Sequence, residues 1–261
     1  MKENPSGAPA PLIWTQTSPT RRRSPLERDD IVRAAVAVAD EGGAQALTMT
    51  AVAKRLGPYT PMALYRYVLS KDGLVDLMLD SVTAEIPVPE EPGTDWRADL
   101  HALASESWAM VKRHLWYAQL MPTRPPLGPH LMRRTEFILR VLVGQGFTVG
   151  EAMTYAALLD RHILGSAQQE AEELAMRRRY GLHSPQQLSQ AITAARDLAA
   201  ESGRHPLLTE WMTAPSGAGM DEQFELSLAF LIDGIAARLP RRGATAGEGD
   251  GVRGTPGERG L

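Results

Sequence analysis

Apolar residues recur at helical spacing through most of the chain. In the first such run, four of them have the i, i+3, i+4, i+7 spacing of one helix face: Ile31, Ala34, Ala35 and Val38. Gly42 and Gly43 follow, as expected where a helix ends. No segment shows the sustained alternation of apolar and polar residues that a half-buried strand requires. The pattern therefore predicts an all-α protein.

Four short helices are predicted near the N-terminus, and each begins with a hydroxyl residue that can cap it. The predicted N-caps are Ser24, Thr48, Thr60 and Ser70. Side-chain oxygens of Ser and Thr accept hydrogen bonds from the free amides at the start of a helix. Only the tight turn from Gly57 to Tyr59 separates the second helix from the third. Two short helices joined by a turn and supported by a longer preceding helix form a helix-turn-helix unit, whose second helix can enter the major groove of DNA.

Proline-rich and glycine-rich stretches divide the chain into four parts. We predict a three-helix, helix-turn-helix DNA-binding domain over residues 24–85 and a larger helical ligand-binding and dimerisation domain over residues 94–240. Residues 1–23 have no helical periodicity and end in three arginines, so we expect a disordered basic arm. The glycine-rich residues 241–261 are expected to form a disordered tail.

The distribution of charge points to a polyanionic partner for the N-terminal part of the chain. The net charge of the whole chain is only −3. Between Arg21 and Lys71, however, nine Lys and Arg residues stand against five Asp and Glu residues, which gives +4 there and −7 elsewhere. Such an asymmetry is expected when one end of a protein meets a polyanion. Together with the helix-turn-helix unit, it favours double-stranded DNA as a partner.

Composition and motifs exclude several other classes of protein. Because none of the 261 residues is cysteine, disulfides, thiolate metal sites and cysteine nucleophiles are excluded, and we expect neither a metal nor a cofactor. No apolar run reaches the roughly 18 residues of a membrane span, and the N-terminus lacks a signal-peptide pattern, so we expect a cytoplasmic protein without a membrane partner. Two alternatives stay open: a helical small-molecule-binding enzyme, and a protein-binding adaptor without DNA activity. The H-E-x-x-H, G-x-S-x-G and P-loop motifs are missing, which disfavours the enzyme.

Three consecutive segments resemble a known DNA-binding domain. The sequences ALTMTAVAKRLG, PMALYRYV and SKDGLVDLM are similar to the DNA-binding domain of the tetracycline-repressor (TetR) family, and the similarity covers residues 24–82, about a quarter of the chain. The resemblance implies a homodimeric transcription regulator, usually a repressor. It further implies that the helical C-terminal domain binds a small-molecule effector, which releases the protein from a palindromic operator.

The candidate DNA-binding residues lie on the helix-turn-helix unit and on the basic arm. By resemblance, phosphate contacts fall to Thr48, Thr50 and Lys71, and the aromatic contacts of the recognition helix fall to Tyr65 and Tyr67. The turn and the rest of that helix add Tyr59, Thr60, Pro61, Met62, Ala63 and Arg66. The arm adds Arg21, Arg22 and Arg23. The turn is one residue longer than is common in the family, so the sequence leaves open which side chain first reaches the groove.

Large and polar side chains of the C-terminal region are candidates for lining an effector cavity. They are Trp108, His114, Trp116, Tyr117, Met132, Phe137, Tyr155, Asp160 and His162. Aromatic and methionine residues at helical spacing equally fit an ordinary core, and the charged Asp160 equally fits a solvent-facing stripe. The composition of this set suggests a largely apolar effector, which would be cationic if Asp160 faces inward.

The last predicted helix has an apolar stripe along one face. The stripe consists of Phe224, Leu228, Leu231 and Ile235. In the resembled family the corresponding helix joins a second copy of the chain in a four-helix dimer interface, so these residues are candidates for such an interface. Packing within one chain would produce the same pattern, and the sequence leaves both possibilities open.

Overall fold

The computed structural model describes residues 13–15, 26–123, 127–182, 184–213 and 219–240. Within these ranges the protein has eleven α-helices and no strand, which confirms the all-α prediction. The helices are α1 (Arg28–Gly42), α2 (Met49–Leu56), α3 (Pro61–Val68), α4 (Lys71–Thr83), α5 (Trp96–Arg113), α6 (Trp116–Leu120), α7 (Pro129–Val143), α8 (Val149–Arg179), α9 (Pro185–Ser202), α10 (Pro206–Thr213) and α11 (Met220–Ala236). None of them is both long and apolar enough to cross a membrane.

Hydroxyl caps begin three of the first four helices, as predicted. The Oγ atoms of Thr48, Thr60 and Ser70 accept hydrogen bonds from the amide of the third residue of α2, α3 and α4, at 3.1, 3.3 and 2.9 Å. Pro61 occupies the first position of α3, where its missing amide hydrogen is not needed. These caps set the residue at which each helix begins, and with it the length of each turn.

The start of α1 differs from the prediction. We expected Ser24 as the N-cap, but α1 begins after Glu27, and Ser24 lies outside the described residues. Glu27 and Asp30 form a reciprocal capping box, in which the Asp30 carboxylate accepts a hydrogen bond from the Glu27 amide at 2.9 Å. Such a box satisfies free amides at the helix start as a hydroxyl residue would. Acidic residues therefore replace the expected Ser cap.

The first four helices share one apolar core. Helix α1 packs against α2 and α4, and α2 packs against α3. Ile31, Val52, Leu64 and Leu74, one from each helix, are fully buried. Gly57 joins α2 to α3 with a φ of 101°, a conformation that residues other than glycine rarely adopt. The turn between these two helices therefore requires a glycine.

The remaining helices are organised around α8, which packs against α5, α7 and α11. Helices α9 and α10 pack chiefly against each other, and α4 packs against α7, which connects the N-terminal helices to the rest of the chain. The periodicity predicted one helix from residue 95 to residue 120, but α5 ends at Arg113. The chain leaves the helical conformation at His114, with φ of −125° and ψ of 62°, and α6 then begins at Trp116.

Part of the N-terminal arm is ordered, contrary to the prediction for residues 1–23. Ile13–Thr15 forms a short 3-10 turn that contacts α4, and Ile13 is only 2% exposed. Trp14 packs against the core beside it. The sequence could not reveal this turn, because three residues are too few to show a period. Arg21, Arg22, Arg23 and the tail 241–261 lie outside the described residues.

Candidate DNA-binding surface and effector cavity

Helix α3 presents a narrow outward face. Met62 and Arg66, which are one helical turn apart, are both exposed. Pro61 and Ala63 are half-buried at the start of the helix. Arg66 forms no hydrogen bond or ion pair with any residue that the structure describes. The outward face thus offers an external partner one apolar side chain and one guanidinium with its five N–H donors.

The three tyrosines of this region are only partly exposed. Tyr59, Tyr65 and Tyr67 pack against the core of the first four helices. The Tyr67 carbonyl oxygen accepts a hydrogen bond from Nε of Arg28 in α1 at 3.1 Å, which holds the C-terminal end of α3. The tyrosines therefore position the recognition helix, and only part of each ring remains accessible to DNA.

Polar side chains flank α3 on the neighbouring elements. Thr48 and Thr50 are exposed at the start of α2, Thr60 is exposed at the start of α3, and Lys71 is the exposed first residue of α4. Lys71 has no partner among the residues that the structure describes. The capping hydroxyls of Thr48 and Thr60 accept hydrogen bonds, so each can still donate its own hydrogen. Hydroxyl and ammonium donors beside an outward helix are typical of phosphate contacts around a groove-reading helix.

A strained turn joins α3 to α4. Leu69 has φ of 63° and ψ of −45°, and across it the Ser70 amide donates to the Val68 carbonyl oxygen at 2.7 Å. A γ-turn of this hand is rare, because the Cβ of an L residue then crowds the backbone. The connection is short, and it places Lys71 close to the end of α3. No pattern in the sequence indicated this conformation.

A small cavity lies among α5, α6, α7 and α8. Its apolar wall consists of Ile86, Met110, Val111, Met121, Leu131, Ile163 and Leu164, and its polar wall consists of Ser107, Tyr117, Arg134 and Asp160. The volume of this cavity is only about 30 Å³. Binding sites for drug-sized ligands measure about 300–1,000 Å³. A ligand of that size must therefore widen this cavity.

An ion pair between a buried arginine and a half-buried aspartate crosses the polar wall of the cavity. Arg134 is 4% exposed; its Nη1 donates to Asp160 Oδ1 at 2.8 Å and its Nε donates to Ser107 Oγ at 3.0 Å. A buried guanidinium is costly unless it is paired, so Asp160 serves Arg134 and does not belong to a purely solvent-facing stripe. Arg134 was not among the candidates predicted from the sequence. The available signal was its position on the same helix face as Leu131 and Ile138, which are buried.

The cavity also reaches the last of the N-terminal helices. The hydroxyl oxygens of Tyr117 and of Thr83 in α4 lie 3.2 Å apart, at hydrogen-bond distance. Burial raises the pKa of Tyr117 above its ordinary value despite this hydrogen bond, so the phenol stays protonated. Ile86, which follows α4, is part of the apolar wall. A ligand that widens the cavity would therefore act on α4 and on the segment that follows it.

Only Tyr117 and Asp160, of the nine effector-site candidates, line this cavity. Met132 is 51% exposed, so it does not face the interior. Phe137 is a core residue, and Tyr155 packs edge-on against Phe147 with ring centroids 5.1 Å apart. These residues lie outside the cavity for a common reason: size and helical spacing identify core residues but do not show where the core leaves a gap.

His114 and Trp116 connect the two halves of the chain and do not line the cavity. His114 places Nδ1 2.7 Å from Asp40 Oδ1 and Nε2 3.1 Å from Glu85 Oε1. The Trp116 Nε1 donates to the same Asp40 oxygen at 2.6 Å. Burial raises the pKa of Glu85, but hydrogen bonds from Arg113 and His114 outweigh it and hold that pKa below its ordinary value. Asp40 lies in α1 and Glu85 follows α4, so this cluster ties the N-terminal helices to α5 and α6.

Trp108 and His162 both stack on Phe224. Their ring centroids lie 4.6 and 4.9 Å from the Phe224 centroid, with interplanar angles of 9° and 7°. The Trp108 Nε1 also donates to Asp221 Oδ1 at 2.8 Å. The stack joins α5, α8 and α11 within one chain. Trp108 is therefore a core residue, His162 is half-buried beside it, and neither is part of the cavity wall.

Most of the apolar stripe on α11 is covered by its own chain. Phe224, Leu228 and Ile235 are at most 4% exposed, and Leu231 is half-buried. The expectation that the stripe meets a second copy is therefore wrong for the three buried residues, because the packing of α11 on α5 and α8 already covers them. Periodicity showed which face is buried but not which surface buries it.

An outward recognition helix with flanking phosphate donors, joined to a helical domain with an internal cavity, defines a helix-turn-helix transcriptional regulator. The family model "Tetracyclin repressor-like, C-terminal domain" matches residues 88–239. The chain belongs to the TetR family of helix-turn-helix transcriptional repressors, whose members are not enzymes. The match lies outside residues 24–82, whose resemblance to the same family is visible in the sequence.

Individual relatives cover most of the chain. It is 35% identical over 239 residues to the HTH-type transcriptional repressor DrrR1 of Streptomyces coeruleorubidus. The aligned region covers 90% of this chain and 87% of DrrR1. It is 27% identical over 216 residues to the tetracycline repressor protein class A from transposon 1721 in Escherichia coli, covering 82% and 92% of the two chains. The structure is similar to that of ActR from Streptomyces coelicolor in complex with actinorhodin, with a TM-score of 0.67, 28% identity, and 82% and 98% coverage.

Proposed function

We propose that the protein binds a palindromic operator as a homodimer and releases it when a small-molecule effector occupies the cavity. The observation that carries the proposal is the contact between Tyr117 and Thr83, because it joins a cavity wall directly to α4. A ligand that prefers the widened cavity favours the position of α4 that accompanies it. Because α3 directly precedes α4, a movement of α4 changes the distance between the recognition helices α3 of the two copies in the dimer.

The proposed dimer uses the outer faces of α8 and α11. Leu226 and Phe230 on α11 are 60% and 69% exposed. Val149 and Met153 on α8 are also exposed, and the two helices pack against each other within the chain. Large exposed apolar side chains are typical of an interaction surface. Two copies related by a two-fold axis would form a four-helix interface from these faces.

The cavity favours an uncharged and largely apolar effector. Because Arg134 and Asp160 neutralise each other, a cationic ligand gains little from Asp160 alone. The Ser107 hydroxyl donates to the Leu103 carbonyl oxygen, and the Tyr117 hydroxyl donates to Thr83, whose own hydrogen goes to the Leu79 carbonyl oxygen. Both therefore offer acceptor oxygens to a ligand that has hydrogen-bond donors on an apolar framework. The similarity to the complex of ActR with actinorhodin makes actinorhodin a suitable first probe.

DNA binding and dimerisation are tested together. The full-length protein first selects duplexes from a random pool, and footprinting then shows which base pairs it protects. Light scattering gives the mass of the protein in solution. We expect a dimer at micromolar concentration that protects two half-sites about one helical turn apart. A monomer, or protection of a single half-site, would contradict the proposal.

The effector class is tested by thermal shift. Actinorhodin, uncharged multi-ring hydroxyketones, hydrophobic amines of similar size and small polar metabolites are compared, and we expect the uncharged multi-ring compounds to raise the melting temperature of the wild-type protein. Arg134→Met leaves Asp160 unpaired and should shift the preference toward amines, whereas Arg134→Met combined with Asp160→Leu should not. If small polar metabolites alone stabilise the wild-type protein, the cavity is not the effector site.

A further inference from the structure

Helix α7 begins without a cap of its own. Its N-cap residue is Gly128, which has no side chain, and its first residue is Pro129. The amides of the next two residues, His130 and Leu131, donate to the same oxygen of Asp80, at 2.9 and 3.1 Å. Asp80 belongs to α4. The cap of α7 is therefore supplied by the N-terminal group of helices.

The glycine at position 128 is required by the closeness of this contact. A Cβ atom there would lie 2.0 Å from Asp80 Oδ1 and 2.3 Å from its Cγ. The backbone at Gly128 has φ of −77° and ψ of 151°, which any L residue adopts easily. Gly128 thus makes room for Asp80, and its backbone conformation alone would allow a side chain.

Solvent is largely excluded from the contact. Asp80 is 6% exposed and lies beside a second small cavity, whose wall includes Trp14 of the N-terminal turn together with Met121 and Leu131. Burial raises the pKa of Asp80, and the hydrogen bond from Leu131 is the largest of the effects that oppose this rise. In such surroundings a carboxylate interacts strongly with the free amides of a helix start. A directional contact therefore holds α4 to α7, in addition to apolar packing.

The same turn of α7 forms part of the effector cavity. Leu131 lines that cavity, and Arg134, three residues later, forms the ion pair with Asp160. We propose that Asp80 couples operator binding to the cavity: it ties α4 to the first turn of α7, so that an effector which moves this turn also moves α4 and the recognition helix before it. The proposal rests on the effector-controlled DNA binding proposed above, and it assigns Asp80 as the positioning residue.

The test moves the cap from α4 to α7 without removing it. Asp80→Gly deletes the carboxylate. Combining it with Gly128→Asp supplies a carboxylate at the N-cap position of α7 itself, in the space that the Asp80 side chain vacates. Ser81→Gly, at the neighbouring exposed position of α4, is the matched control for a glycine in that helix. For each variant we measure amide hydrogen exchange in α4 and α7, and the dissociation constant for the duplex selected by the wild-type protein.

Coupling through Asp80 predicts a distinct result for each variant. Asp80→Gly should accelerate exchange in α4 and in the first turn of α7, and should weaken DNA binding by up to about tenfold, the limit reached when the whole free energy of a helix cap is coupled to binding. The double variant should regain protection of the His130 and Leu131 amides, but α4 should stay unprotected and the DNA affinity low. Ser81→Gly should leave α7 and the DNA affinity near the wild-type values.

Two outcomes would overturn the proposal. A double variant that recovers the protection of α4 and the DNA affinity together with the α7 cap would show that the cap is purely structural. An Asp80→Gly protein whose α4 exchanges as it does in Ser81→Gly would show that no coupling exists. If the wild-type protein selects no duplex, the proposed function fails, and the exchange measurements still decide whether Asp80 couples α4 to α7.

Discussion

At the scale of single residues, the DNA-binding surface offers one side chain suited to reading bases and another suited to holding phosphate. Arg66 lies on the outward face of α3, whereas Lys71 begins α4 beside it. Base contacts discriminate between sequences, and phosphate contacts do not. Neither side chain has a partner among the described residues, so removing it leaves no other group unpaired within that part of the chain.

The two roles are separable by substitution. Lys71→Ala should weaken binding to all duplexes alike and reduce the salt slope by about one unit, because one phosphate contact is lost. Arg66→Ala should relax the preference at one base pair per half-site by about 1–3 kcal/mol. Binding to singly substituted operators at several salt concentrations distinguishes the two effects. A uniform loss for Arg66→Ala would leave the reading role to Tyr59, Thr60 or Met62.

The strained turn after α3 gives a prediction about stability. The φ of Leu69 is 63°, which glycine adopts without crowding by a Cβ. Leu69→Gly should therefore raise the free energy of unfolding by up to about 1 kcal/mol, as measured by urea denaturation. Leu69→Ala keeps the Cβ and should gain nothing. Destabilisation by Leu69→Gly would mean that packing of the exposed Leu69 side chain outweighs the strain.

At the scale of elements, α11 shows how one helix supplies two different surfaces. Its inner face, which includes Phe224 and Leu228, packs on α5 and α8 and completes the core of the chain. Its outer face leaves Leu226 and Phe230 exposed. The apolar stripe predicted from helical periodicity lies on the inner face, because the face that is buried within the chain has the more regular spacing of apolar residues. The outer face is the one proposed to meet a second copy.

Phe230→Glu tests the outer face of α11. A carboxylate at the proposed interface would lose its hydration beside the same group of the second copy, so the protein should become monomeric at micromolar concentration. Light scattering measures the change in mass, and circular dichroism should show the helical content unchanged. Met132→Glu, at an exposed apolar position of α7, is the control and should leave the mass unaltered. A Phe230→Glu protein that stays dimeric would place the interface elsewhere.

At the scale of the whole molecule, three of the contacts between the N-terminal helices and the rest of the chain lie close together at the end of α4 and just after it. Asp80 caps α7, Thr83 meets Tyr117, and Glu85 meets His114. These three contacts reach α7, α6 and the end of α5 within six residues of chain. The position of α4 is therefore determined by the elements around the cavity, which suits a domain junction that transmits ligand binding.

Glu85 makes part of this junction dependent on pH. Its pKa in the folded protein lies below the ordinary value of 4.5, so its contribution to stability is present above about pH 4.5 and is lost as the pH falls through the lowered pKa. Glu85→Gln should therefore lower the free energy of unfolding at neutral pH and flatten its decline on the acid side. Urea unfolding at a series of pH values measures both effects. Glu172→Gln, at an exposed position of α8, is the control, and identical pH profiles for wild type and Glu85→Gln would contradict the assignment.

Local chemistry explains how much of the fold the sequence alone determined. Caps at Thr48, Thr60 and Ser70 depend on side chains within three residues of the amides they satisfy, so they are visible without a structure. Helical periodicity likewise depends on one face of one helix. For these reasons the helices and the helix-turn-helix unit follow from the sequence, whereas the acidic cap of α1 was missed because Ser24 nearby offered an equally good pattern.

Only the tertiary structure decided how the elements meet. The cavity is a gap left between four helices, and no single helix face records where packing leaves a gap. The pairs Arg134–Asp160, Tyr117–Thr83 and Asp80 with the start of α7 each join residues that are 26 or more positions apart. Such distant pairs leave no local pattern, since each residue has an ordinary position on its own helix. The helix-turn-helix unit can therefore be predicted from the sequence, because it depends on local patterns. The cavity and its connection to α4 depend on contacts between distant residues, so only the folded chain shows them.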